Sequence, residues 1–245
     1  MANMKVENIT TAKASGTEHC NKVQLPEPTL RRLPWYLAYV TTLRKQGVDN
    51  VSTTRISAHV GVDSSQIAKD LSFLDIKGKT RIGYEVQALE AALRHFLGFA
   101  ELHNAVIVGT GSLGSALMRD RGLHRYGLNI VAGFDSNPDI VGTENCGVRI
   151  YHIDRMATVC RELDVNIAAI TVPVGAAQEV AEACVEAGIH AIWNFTPWRI
   201  QAPAGIVVQN TSIYAHLALI YNRLQNAETT EAENGETITY PKSKR

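Results

Sequence analysis

Apolar residues recur at Leu30, Leu33, Tyr36, Leu37, Val40 and Leu43, an i, i+3, i+4 spacing that predicts an amphipathic helix from Pro28 to Gln46, stopped by Gly47. Ser52 and Thr53 offer caps for a short helix through His59. Gly61 supplies a tight turn, and Asp63 or Ser64 caps a second helix carrying Ile67, Leu71 and Leu74. This is the spacing of a helix-turn-helix. The following stretch, Ile76 to Tyr84, holds Lys77, Gly78, Lys79, Arg81 and Gly83 without an acid and reads as a β-hairpin wing. Val86, Leu89, Leu93, Phe96 and Leu97 make a third helical stripe.

The pattern changes at Ala105. Ala105-Val106-Ile107-Val108 is an apolar run of the kind buried in parallel sheets, followed at once by glycines and an apolar helix. Further strands are expected at Asn129–Phe134, Asn166–Val172, Ala191–Phe195 and Gly205–Val208. Helices are expected near Asp154–Leu163 and Ala176–Ala187, so strands alternate with helices. Ser212 to Gln225 carries Ile213, Tyr214, Leu217, Ile220, Tyr221 and Leu224, a broad apolar stripe on a terminal helix. The expected class is α/β, with an N-terminal winged helix-turn-helix domain (27–97) and a Rossmann-like, doubly wound parallel-sheet domain (98–210). A C-terminal helix (211–226) follows, with loose polar tails at 1–26 and 227–245.

Bulk composition narrows the class without deciding function. A chain of 245 residues, 45% hydrophobic and 20% charged, is globular. It has no apolar run of membrane-spanning length and no secretory leader is recognised, so a cytoplasmic location is expected. Cys20, Cys146, Cys160 and Cys184 are irregularly spaced, with no pair or histidine cadence that suggests a metal. A formal net charge of zero argues against a wholly basic surface and leaves local basic patches open.

The chemistry concentrates in Gly109-Thr110-Gly111-Ser112-Leu113-Gly114, which follows a predicted strand, opens a predicted helix and precedes an acid, Asp135 after Phe134, at the end of the next strand. Gly109 permits the turn, Gly111 lets backbone approach a pyrophosphate and Gly114 lets helix and strand pack closely. Asp135 is placed to accept ribose hydroxyls and to repel a 2′-phosphate, which favours NAD over NADP. A different phosphate ligand, such as coenzyme A, is the competing use of such a loop. Thr171-Val172-Pro173 and Asn194-Phe195-Thr196-Pro197 lie at the carboxyl ends of predicted strands and are candidates for the nicotinamide side. His152, His190 and His216 have no carboxylate or lysine at an interpretable spacing, so no catalytic residue is assigned. On the second helix of the pair, Ser65, Gln66 and Lys69 fall opposite Ile67, Leu71 and Leu74, where a major groove would lie. Lys77, Lys79 and Arg81 on the wing would neutralise phosphates or enter the minor groove.

These motifs together resemble the Rex family of redox-sensing transcriptional repressors from about Pro28 to Gln225. The carriers are Arg31-Arg32-Leu33-Pro34-Trp35-Tyr36-Leu37, Ser65-Gln66-Ile67-Ala68-Lys69-Asp70-Leu71-Ser72-Phe73, Ile82-Gly83-Tyr84, the glycine loop, Phe134-Asp135, Thr171-Val172-Pro173 and Gly188-Ile189 through Asn194-Phe195-Thr196-Pro197. The resemblance implies a homodimer that binds a palindromic double-stranded operator through its winged helices and senses NADH/NAD⁺ through its Rossmann domains. NADH would release the DNA, and the C-terminal helix would be exchanged between subunits. Phe73 joins the DNA-binding set, and Ile213 with the Phe195 turn would form an apolar nicotinamide pocket that penalises the charge of the oxidised ring.

Departures from the family pattern fall on functional positions. Ala68 replaces an arginine of the recognition helix, and Thr80-Arg81 stands where the family carries arginine then glycine. The family also joins an arginine of the first helix to an aspartate at the start of the last helix of the other subunit, near a tyrosine. Those three positions correspond to Ala38, Ser212 and Asp120. Two alternatives therefore accompany the reading: a DNA-binding regulator whose switch is lost or rewired, and an NAD-dependent oxidoreductase, which lacks a visible dyad and leaves little sequence for a substrate domain.

Overall fold

The computed structural model describes residues 25–234. Most of the two expected tails lies outside them, as does Cys20. The chain divides into two compact units at Glu90/Ala91, seven residues before the expected boundary and inside a helix.

In the first unit α1 (Glu27–Lys45) buries Leu33, Tyr36, Leu37, Val40 and Leu43, as its spacing requires. Two residues, Asn50–Val51 (β1), precede α2 (Thr53–Val60). Ser52 caps α2 by accepting from Arg55 N, and Gly61 ends it in the left-handed region at φ 69°. Helix α3 (Ser64–Leu71) is capped by Asp63 and stops before Leu74, which is nevertheless buried. The wing is smaller than its sequence suggests. It consists of one bridge between Lys79 and Gly83, with β2 (Tyr84–Glu85) pairing antiparallel to β1. Helix α4 (Val86–Phe96) follows.

Asp70 ties α1 to α3. Its side chain is fully buried, and it accepts from Arg32 Nε at 2.7 Å and Arg32 Nη2 at 2.8 Å, from Tyr36 Oη at 2.8 Å, Thr29 Oγ1 at 3.0 Å and Gln66 Nε2 at 2.9 Å. Burial by itself would raise the pKa of this carboxyl. The hydrogen bonds from Arg32, Tyr36, Gln66 and Thr29 outweigh it and hold the group below the usual carboxylate range. Burial together with the neighbouring carboxylate pushes the Tyr36 phenol up. A second acid, Glu90, is also buried and takes a hydrogen bond from Thr41 Oγ1 at 2.9 Å and an ion pair from Arg44 at 2.7 Å.

The second unit is built on a seven-stranded sheet. Its strands are β3 (His103–Val108), β4 (Leu128–Asp135), β5 (Glu144–Asn145), β6 (Val148–His152), β7 (Ile167–Ile170), β8 (Ala191–Asn194) and β9 (Val207–Asn210) in the order β5-β6-β4-β3-β7-β8-β9. All pairings are parallel except β5 with β6. Helices α5 (Ser112–Arg119) and α6 (Arg121–Arg125) connect β3 to β4, α7 (Met156–Glu162) connects β6 to β7, and α8 (Ala177–Glu186) connects β7 to β8. The main core joins strand residues Val106, Val108, Phe134, Ile170 and Ile192 to Val159 and Cys160 of α7 and Val180 and Cys184 of α8. A smaller cluster, Ile107, Met118, Ile150 and Ala169, involves α5.

Five elements of the second unit differ from expectation. β6 and α6 are additional, being short segments of five residues each, as is the two-residue β5. β9 begins two residues later than expected, at Val207. The last helix, α9 (Ile213–Asn234), runs eight residues beyond its expected end at 226. Ala227 and the glutamates after it favour helix, and the first helix-breaking residue in the sequence is Gly235. In this chain α9 leaves its apolar stripe open, with Tyr214, Ile220, Tyr221 and Leu224 each more than half exposed.

Candidate functional site

At the carboxyl ends of β3, β4 and β7 a cleft of about 740 Å³ is lined by Gly109, Gly111, Phe134, Asp135, Thr171, Val172 and Pro173. Gly109 has φ 89°, and a Cβ there would press on Thr171 and Val172. A Cβ on Gly114 would overlap the carbonyl of Gly109, so the helix can approach the strand only without one. Beside Gly111, the N-cap of α5, a Cβ would meet nothing within 4 Å. That open space at a helix N-terminus suits a pyrophosphate. Ser112 and Leu113 form the first turn of α5. Thr171 Oγ1 donates to Gly109 O at 2.6 Å and pins the loop to β7.

The sequence did not announce the clasp on Asp135. Thr110, itself buried, donates to Asp135 Oδ2 from its backbone N at 2.7 Å and its hydroxyl at 2.9 Å, while Asn137 N donates to Oδ1 at 3.0 Å. Burial opposes ionisation here too, but the Asn137 and Thr110 bonds hold the carboxyl below its ordinary range. Asp135 is thus a fixed anion at the cleft. Oδ2 is taken up twice, which leaves Oδ1 as the oxygen for a ribose hydroxyl. These residues fit a dinucleotide with an unphosphorylated ribose. The remaining walls come from Ile153, Asp154, Met156 and Ala157 after β6, from Ala176 just before α8 and from the α8 face Glu179, Val180 and Ala183. Without β6 in view, that half of the cleft was not legible in the sequence.

Eight expected site residues do not line this cleft: Thr110, Ser112, Leu113 and Gly114 of the loop, which act through its backbone and packing, and Asn194, Phe195, Thr196 and Ile213. Along β8 and the turn after it the period-2 alternation buries Ile192, Asn194 and Thr196. Asn194 is consumed there, donating to Trp198 O at 2.6 Å and Asn210 Oδ1 at 2.9 Å and accepting from Thr196 N at 2.9 Å. It shapes the turn instead of presenting its amide. Phe195 packs on Trp193 at 4.5 Å between ring centroids and against the smaller core cluster. Ile213 is 48% exposed at the start of α9.

In the first unit, α3 turns Ala68 and Lys69 outward, with Gln66 half-buried. The Ser65 hydroxyl donates to the capping carboxylate of Asp63 at 2.5 Å. Phe73 lies half-buried in the turn after α3, and Lys77, Lys79 and Arg81 are exposed along the wing. Arg81 has φ 66°, so it occupies the left-handed position for which glycine is favoured. The conformation accounts for a glycine there in the sequence pattern that this chain departs from. Arg81→Gly is expected to stabilise the chain by about 1 kcal/mol, read as a higher urea midpoint with an unchanged m-value.

Of the three positions that depart from the family's charged arrangement, two have local roles. Asp120 caps α6 by accepting from Gly122 N at 2.6 Å, Ser212 accepts from Ala215 N at 3.2 Å in the first turn of α9, and Ala38 is an exposed position of α1.

Comparison with known proteins agrees with both units. Residues 24–72 match the family model described as a putative DNA-binding protein N-terminus, and residues 100–198 match the CoA binding domain model. The redox-sensing transcriptional repressor Rex of Porphyromonas gingivalis is 54% identical over 203 residues, covering 83% of this chain and 93% of that protein. The Rex protein of Bacteroides thetaiotaomicron is 55% identical over 205 residues, covering 84% and 92%. Among solved structures, RSP in complex with β-NAD⁺ and operator DNA superposes with a TM-score of 0.81 at 30% identity, over 89% of this chain and all of that one. RSP in complex with β-NADH gives 0.76 at 30% identity, over 86% and 99%. With a helix-turn-helix unit, a nucleotide-type glycine loop and these relatives over more than four-fifths of its length, the chain belongs to the Rex family of redox-sensing transcriptional repressors.

Proposed function

We propose that the protein is a cytoplasmic, homodimeric transcriptional repressor that binds a palindromic operator through α3 and the wing and binds NADH or NAD⁺ in the glycine-loop cleft, with NADH releasing the DNA. The observation that carries this reading is the coexistence, in one chain, of an exposed α3 face and basic wing with a cleft in which Gly111 and a clasped Asp135 suit an adenine dinucleotide. Ser65, Gln66, Lys69, Phe73, Lys77, Lys79 and Arg81 form the DNA-facing set. Gly109 through Gly114, Phe134, Asp135 and Thr171 through Pro173 form the nucleotide-facing set. Asn194, Phe195 and Thr196 support the turn beside it, and the open stripe of α9 from Ile213 to Leu224 is the surface for the second subunit. No helix among the described residues is long and apolar enough to cross a membrane.

Binding supplies the chemistry. No proton or hydride transfer is assigned to any residue, which is why the repressor reading is preferred to an oxidoreductase. The protein's task is to favour one dimer arrangement: a hundredfold release of DNA requires NADH to prefer the released form by about 2.7 kcal/mol. Fluorescence anisotropy of a labelled palindromic operator at fixed salt, with no nucleotide, NAD⁺ or NADH, tests this. Selective release by NADH is expected, and absence of any operator binding overturns it. Operator binding indifferent to nucleotide favours a second reading, a rewired switch, motivated by the local roles of Asp120 and Ser212 and the uncharged Ala38. In a direct titration, Asp135→Ala is expected to weaken NADH by about 1.5–3 kcal/mol, and unchanged affinity removes Asp135 from the ribose.

A further inference from the structure

We infer that Gln66 reads an adenine in the major groove through an amide whose orientation is fixed by Asp70, which makes Asp70 a positioning residue for sequence recognition. The inference rests on the DNA-binding reading of α3 and assigns the base that it recognises.

Gln66 and Asp70 stand one helical turn apart on α3, and Gln66 Nε2 lies 2.9 Å from Asp70 Oδ1. A carboxylate only accepts hydrogen bonds, and Asp70 already takes four others, from Arg32, Tyr36 and Thr29. A flipped amide would set its oxygen against that carboxylate, so the nitrogen must face inward. One N–H is therefore spent on Asp70. What Gln66 has left to offer is its carbonyl oxygen and its second N–H, an acceptor and a donor side by side.

That pair complements the adenine edge, which presents the N6 amino donor beside the N7 acceptor. Guanine presents two acceptors and would set O6 against the amide oxygen, while cytosine and thymine satisfy one of the two groups at most. The neighbours on α3 do not compete for this role: Ser65 spends its hydroxyl on Asp63, Ala68 has no polar group, and Lys69 only donates. Because Asp70 is anchored by α1 residues, the amide is preoriented before DNA arrives and loses little rotamer freedom on binding.

The test uses the full chain and duplexes that it enriches from a randomised palindromic library. Each adenine is then replaced by 7-deazaadenine, which lacks the N7 acceptor. The wild type is expected to lose roughly tenfold in affinity at one symmetry-related adenine, and Gln66→Met, which keeps the size and removes the amide, should be indifferent at that position while remaining sensitive elsewhere. Asp70→Asn, if it folds, should lower the adenine-over-guanine ratio at the same position. The assignment is overturned if Gln66→Met stays as sensitive as the wild type or if 7-deazaadenine is neutral at every position. An unchanged ratio in folded Asp70→Asn removes the positioning role and leaves Gln66 alone. Failure to enrich any duplex overturns the DNA-binding reading itself, and this inference with it.

Discussion

Asp70→Ala is expected to destabilise the chain by about 3–5 kcal/mol, as much as truncating a large core side chain. The change removes the acceptor for Arg32, Tyr36, Thr29 and Gln66 together, leaving a partly buried guanidinium and a buried phenol without their partner. Urea unfolding followed by far-ultraviolet circular dichroism measures it, and a loss under about 1 kcal/mol, the scale of a surface pair, would show that the hub contributes little. The same group sets an acid limit. Because its folded pKa lies below the unfolded value, its contribution is complete above about pH 4 and is lost as pH falls through the folded pKa. Tyr36 works in the opposite sense: its raised pKa gives stability below about pH 10 that is lost as pH rises through the folded value. The Asp70→Ala protein should therefore show a flatter acid limb than the wild type.

The second large effect is expected at the glycine loop. In Gly114→Ala the new methyl group overlaps the Gly109 carbonyl and crowds Thr171 Oγ1 and Ile107, all parts of the strand and loop that α5 must approach. Overpacking of this kind costs about 1–3 kcal/mol, and relief can come only by moving α5 away from β3, which carries Gly111 out of place. Nucleotide affinity should fall by at least a hundredfold in a titration with NADH, while thermal unfolding still shows a folded protein. Near-wild-type affinity would mean that the loop does not hold the pyrophosphate.

Much of this architecture was legible because side-chain periodicity reports burial directly. The stripes of α1 and α4, the apolar run of β3 and the caps at Ser52 and Asp63 all stand where the pattern indicates. What escaped were features set by tertiary partners. β6 is short, and its residues Val148, Tyr151 and His152 are only half-buried, so neither its length nor its alternation is emphatic. Asp70 lies among Ile67, Leu71 and Leu74, a charged residue on a buried face, and only the opposing Arg32 and Tyr36 make that position favourable. Asn194 stood at the right end of the right strand, but strand alternation points it inward, into a network that position alone does not reveal. Asp135 was found by its motif, and the Thr110 clasp that holds it was not.

Cys160 on α7 and Cys184 on α8 sit in the core behind the nucleotide cleft, and burial pushes their thiols up to about 11 and about 12. At neutral pH both stay protonated and shielded, whereas the attacking species in thiol oxidation is the exposed thiolate. An oxidant cannot write its message on this pair. For these two sulfurs the interior is electrochemically silent, and the thiol that stands open to solvent among the described residues is Cys146, away from this core.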